Sequence, residues 1–225
     1  MANARSRIEG LLDAKSFVEI GAAVTARSTD FNMASKKAAS DGVITGYGVI
    51  DGYPVFVYSQ DASVLNGTVG EMHSAKIVRL YEMAVKTGAP VIGLVDCAGM
   101  RLEEGTDALN AFGKIYMAQC DASGVIPQIT AIFGNCGGGM ALSAAMSDFT
   151  FMESGKAKLF VNSPNAVDGN HISKCDSSSA AFQSEEAGNV DMTGSEDEIL
   201  AAIRNLVTML PSNNEDDMSY KDSND

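Results

Sequence analysis

Ile126-Pro127-Gln128-Ile129-Thr130-Ala131-Ile132-Phe133 runs into Gly134-Asn135-Cys136-Gly137-Gly138-Gly139 and then into an alanine-rich stretch from Met140. The three parts read as a buried apolar strand, a glycine loop and a helix. One unit upstream the same succession stands again: the strand Val91-Ile92-Gly93-Leu94-Val95, the loop Asp96-Cys97-Ala98-Gly99-Met100-Arg101, and a helix from Ala108 to Ser123. Strand–loop–helix units in series predict an α/β fold with helices packed on sheets. In such folds ligands collect where strands end and loops lead into helices.

Working outward, Val43 to Ile50 and Tyr53 to Tyr58 flank Asp51-Gly52, a strong signal for a β-hairpin. A helix follows, with Ile77, Leu80, Tyr81, Ala84 and Val85 on its apolar side, closed by Gly88 and Pro90. At the N-terminus Ile8, Leu11 and Leu12 have the spacing of a short amphipathic helix, and polar residues 22 to 41 read as an exposed connection. Downstream, Phe149 to Met152 and Lys158 to Val161 read as strands. Polar residues 168 to 186 follow, then a helix from about Asp197 to Leu210, stopped by Pro211. One domain is expected over 1–214, with 215–225 a disordered acidic tail.

Composition narrows the function. The 225 residues suffice for one large domain with a real core, and 45% hydrophobic with 20% charged residues is ordinary for a globular protein. The net charge of −13 disfavours nucleic acid, whose phosphates would be repelled. No apolar stretch has the length of a membrane span and no secretion signal is visible, so the expected location is cytoplasmic. Cys97, Cys120, Cys136 and Cys175 form no C-x-x-C pair, and His73 and His171 are the only histidines, which predicts neither a metal site nor a disulfide framework.

The two glycine-bearing loops are the candidate site. Gly137, Gly138 and Gly139 would free backbone N–H groups at a helix N-terminus, and Ala98-Gly99 offers a similar donor. Donors from both loops meeting at one oxygen would form an oxyanion hole. The plainer reading is that these glycines only permit tight turns and close packing. Neither phosphate-loop pattern is present, nor a G-x-S-x-G nucleophile elbow. Cys97 and Cys136 read as compact packing rather than reactive thiols, and His73, on an amphipathic helix, as a surface or packing residue.

Four runs, DGVITGYGVIDGYPVFVYSQD, GTVGEMHSAKI, APVIGLVDCAGMRLEEG and GVIPQITAIFGNCGGGMALSAAMSDFTFM, occur in this order. Together they resemble the biotin-dependent acyl-CoA carboxyltransferases, the family of propionyl-CoA carboxylase β chains and methylmalonyl-CoA decarboxylase α chains. The likeness runs from Arg7 to Met152, weakens, and returns in the helix ending at MLPSNN. It implies a crotonase-like superhelix of strand-strand-helix units and the N-terminal half of a two-domain carboxyltransferase. The second half would then come from a C-terminal-half carboxyltransferase subunit in a hetero-oligomer.

The resemblance further implies that Gly138 and Gly139 build an oxyanion hole. It implies that Cys97, Ala98, Gly99, Met100, Arg101 and Gly137 line the acyl-CoA site. Biotin would arrive on a separate biotin carboxyl carrier protein, with a coenzyme A thioester as substrate, and backbone donors would stabilise the enolate while the protein holds both reactants. The chain departs from the family at Asn162-Ser163-Pro164, at Ser179-Ala180-Ala181 and at Gln183. Two rival readings are a stand-alone crotonase-type hydratase or isomerase, for which Glu103 and Glu104 are the nearby acids, and a non-catalytic structural subunit.

Overall fold

A computed structural model gives the structure for residues 3–27, 38 and 40–216. Most of the connection expected over 22–41 and residues 217–225 of the expected tail lie outside the described residues. Eight strands, β1 (Val18–Ile20), β2 (Val43–Ile50), β3 (Tyr53–Gln60), β4 (Val91–Cys97), β5 (Gln128–Gly137), β6 (Phe149–Glu153), β7 (Lys158–Phe160) and β8 (Met192–Gly194), join five α-helices. The helices are α1 (Ala4–Leu11), α2 (Glu71–Thr87), α3 (Gly105–Ala122), α4 (Gly139–Ala145) and α5 (Glu196–Met209).

β2 and β3 form the expected hairpin. Asp51 and Gly52 both have positive φ, 48° and 90°, which a two-residue turn matched to the strand twist requires. β1 pairs antiparallel with β2. Every pairing beyond the hairpin is parallel, and the sheet runs β1-β2-β3-β4-β5-β6-β8 with β7 also on β5.

Side chains alternate along the central strands. Phe56, Tyr58, Val91, Val95, Ile132 and Cys136 join one core with residues of α2, α3 and α4. Val55, Val57, Ile92, Leu94, Ile129, Ala131 and Phe133 join the other with Ile8, Leu11, Ile199, Ile203 and Val207 of α1 and α5. Burial on both faces explains why these strands read as unbroken apolar runs.

β5 departs from the expected boundaries. Residues 134–139 read as a loop, yet the strand continues through Gly137: Ile129–Ile132 pair with β6, and Asn135–Gly137 pair with β7. The glycines serve close approach here. A Cβ on Gly134 would lie 2.1 Å from Asp96 Oδ1, and one on Gly137 3.0 Å from Ala98 O. β1 and β8, three residues each, are too short to show a period in sequence.

Candidate active site

β4 and β5 deliver both loops to one place, with Cys97 and Cys136 side by side in the parallel register. Past them the chain turns at Gly99, with φ 118°, and at Gly138, with φ 59° and ψ −127°. Both are conformations that side chains strain to adopt. The turns lie close together: a Cβ on Gly99 would sit 3.4 Å from Gly137 O, and one on Gly138 3.8 Å from Gly99 Cα.

Hydrogen bonding decides which backbone donors are free. Ala98 N donates to Asn66 O at 3.1 Å and Arg101 N to Val69 O at 2.9 Å. Gly99 N is turned to Cys97 Sγ at 3.3 Å. Gly138 N, though in the expected donor pair, donates to Phe160 O of β7 at 3.0 Å. Among the described residues the N–H groups without an acceptor in this region are those of Met100, on the first loop, and of Gly139 and Met140, in the first turn of α4. Helix first turns leave such donors unpaired by construction. Gly138 thus contributes the turn, and Gly139 the open donor. Tyr116 Oη donates to Gly139 O at 2.8 Å, and a Cβ at Gly139 would meet Phe112 at 2.7 Å and Tyr116 Oη at 2.8 Å. Sequence reasoning missed Tyr116, Phe160 and Asn66, because their role is to occupy or brace neighbouring groups across the fold.

No charged side chain is aimed into this junction from the two loops. Burial pushes the Cys97 thiol up to about 12 and holds the Cys136 thiol well above its ordinary value, so both are neutral packing groups. Arg101 turns inward and is 1% exposed, ion-paired with Glu104 at 2.9 Å. Its side chain therefore lies beneath the loop. His73 is fully buried rather than at the surface: Nδ1–H donates to Asp41 O at 3.0 Å, and Nε2 accepts from Gln60 Nε2 at 3.1 Å. Burial, with the Arg101 and Lys76 cations, pulls its pKa down to about 3.

Beside α4 lies a cleft of about 440 Å³, walled by Leu142, Leu159, Phe160 and Val161 and reached by Gln183 and Asn189. Gln183, one of the departures noted above, accepts from Asn189 at 2.9 Å, so the altered stretch builds one wall of this cleft. No group of three or more His, Cys, Asp or Glu positioned to hold a metal occurs among the described residues. No described helix is long and apolar enough to cross a membrane.

The architecture is the crotonase-like fold, with the two glycine turns carried side by side on the ends of β4 and β5. Residues 2–225 match the carboxyl transferase domain, and the chain belongs to that family. It is 44% identical over 215 residues to the propionyl-CoA carboxylase beta chain of Roseobacter denitrificans, covering 94% of this chain and 42% of that one. It is 40% identical to the methylmalonyl-CoA decarboxylase subunit alpha of Veillonella parvula, covering 99% of this chain and 44% of that one. The crystal structure of transcarboxylase 12S with methylmalonyl-coenzyme A bound superposes with TM-score 0.93 at 37% identity, over 98% of this chain and 44% of the other. A Pseudomonas malonate decarboxylase, at 24% identity and TM-score 0.81, shares the fold. The chain spans less than half the length of the two relatives compared here.

Proposed function

We propose that this chain supplies the acyl-CoA-binding half of a carboxyltransferase site, in which a thioester carbonyl oxygen is held between the Met100 loop and the N-terminus of α4. The supporting observation is the set of unpaired donors at Met100, Gly139 and Met140 on two closely spaced turns. Loss of an α-proton from an acyl-CoA throws negative charge onto the thioester oxygen. Fixed N–H dipoles at a helix start stabilise that charge without reorganising. The carboxyltransferase relatives, named for propionyl-CoA and methylmalonyl-CoA, support an acyl-CoA substrate.

Biotin on a separate carrier protein would supply or accept the carboxyl group. The backbone donors of the two turns would serve the thioester oxygen. The site is completed by a second carboxyltransferase half, which the longer relatives' extra length supports. Of the two acids open to a hydratase reading, Glu104 is already bound by Arg101 Nη1 at 2.9 Å and by Glu71 N at 2.6 Å, which leaves Glu103.

Gly139→Pro tests the reading. Proline suits the first residue of a helix and removes the N–H. Because any side chain there presses on Phe112 and Tyr116, Gly139→Ala is the control that imports the same crowding but keeps the donor. In the protein completed by the second half, the proline variant should lose ~100- to 1000-fold in kcat relative to the alanine variant. Equal kcat for the two would remove the α4 terminus from the reaction.

A further inference from the structure

Arg101 stands in the loop expected to line the acyl-CoA site, yet its guanidinium faces away from that site. It is 1% exposed, and its donors reach four acceptors: Glu104 Oε1 at 2.9 Å, Asp41 O at 2.9 Å, Thr68 O at 2.6 Å and Thr68 Oγ1 at 3.4 Å. Glu104 in turn accepts from Glu71 N, the first residue of α2, at 2.6 Å. One ion pair therefore joins three places: the Cys97–Arg101 loop, the Asn66–Val69 segment bridged to it, and the start of α2.

We propose that Arg101 is a positioning residue for carboxyl transfer: it holds the Met100 turn against Gly138 and Gly139 so that the donors of both turns bear on one oxygen, without touching the substrate. The inference rests on the functional reading above. A planar five-donor fork is suited to this task because it can serve several fixed acceptors at once, which an ammonium on a flexible stem serves less well. Gly70 supplies the second observation. A Cβ there would stand 2.3 Å from Glu104 Oε1 and 2.6 Å from Arg101 Nη1, so the absence of a side chain at 70 is what lets the pair close. Its backbone, at φ −117° and ψ −173°, is one alanine adopts freely. Gly70→Ala therefore parts the pair while leaving both charged residues in the chain.

The experiment compares Arg101→Met, Arg101→Lys and Gly70→Ala with wild type in the protein completed by its second half, using propionyl-CoA and methylmalonyl-CoA as the probe thioesters. Expected are a kcat at least ~10-fold lower in Arg101→Met and Gly70→Ala, KM within ~2-fold of wild type, and a smaller loss in Arg101→Lys. A rise in KM alone in the Arg101 variants, with Gly70→Ala silent, would put the guanidinium on the substrate and overturn the inference. So would an unchanged kcat in folded variants. Amide hydrogen exchange over residues 98–104 is read in parallel on the same proteins and needs no turnover. Exchange should quicken there by ~10-fold or more in Gly70→Ala while the central strands stay protected. If wild type transfers no carboxyl group, the functional reading fails. The exchange then decides alone whether the pair holds the loop, and unchanged exchange sinks the inference.

Discussion

At the scale of single residues, His73 shows how the fold chooses between a surface and a packing role. Ordinary helix patterning leaves it a surface or packing group, but the loop that carries Asp41 closes over it and Gln60 takes its second nitrogen. Its pKa is lowered to about 3, below the ordinary 6.5, so the native state holds it neutral and the unfolded state protonates it as pH drops. Stability from this group is complete above about pH 6.5 and declines as pH falls below it. Between pH 7 and 5.5 the loss should be on the order of 1 kcal/mol, from the proton linkage of one such group. Urea unfolding across that range checks it, and His73→Gln should flatten the slope. A wild-type slope equal to the variant's would mean the imidazole is reachable by water. The Cys97 thiol, at about 12, should likewise resist alkylation at neutral pH until the protein unfolds, whereas exposed Cys120 and Cys175 react at once.

At the scale of elements, the roof over the second face of the sheet is made from the two ends of the described chain. α1 and α5 meet there, tied by Arg204, which donates to Leu11 O at 2.8 Å and Asp13 Oδ1 at 2.8 Å. α5 starts in a capping box, Ser195 and Glu198 satisfying each other's backbone N–H, and adds Ile199, Ile203 and Val207 to the core that also holds Ile92, Leu94 and Ile129. Ile203 is fully buried, so Ile203→Ala should destabilise the fold by about 2–5 kcal/mol. The expected signature is a lower urea midpoint at unchanged m. A change under 1 kcal/mol (about one buried methylene) would show that α5 is not an integral part of the core. β5 is the contrasting element: its glycines read as a loop because they lack β-forming side chains, yet β7 and Asp96 hold them extended. Local propensity lost there to a partner distant in sequence.

At the scale of the whole molecule, the chain spans under half the length of its relatives, and on the half-site proposal it holds one part of the site. The unpaired donors at Met100 and Gly139 lie just past the ends of β4 and β5. The protein by itself should therefore bind an acyl-CoA yet show no carboxyl transfer with carrier-borne biotin, and transfer should appear on adding the second half. Calorimetric binding with single-turnover assays would check both statements. Full turnover by the 225 residues alone would refute the half-site reading.

The sequence by itself determined the α/β class, the hairpin at Asp51-Gly52, the order of the longer strands and helices and, through four ordered motifs, the carboxyltransferase family. These are local quantities: apolar period, turn chemistry and runs of side chains that need no distant partner to be read. Only the tertiary structure decided that Gly138 donates to Phe160 while Gly139 stays open, that Arg101 turns inward to Glu104, and that β5 forks between two partners. Each of these depends on which acceptor or neighbour the fold brings within hydrogen-bond reach. Acceptors 22 residues away, from Gly138 to Phe160, or 60 away, from Arg101 to Asp41, leave no trace in the residues beside the donor.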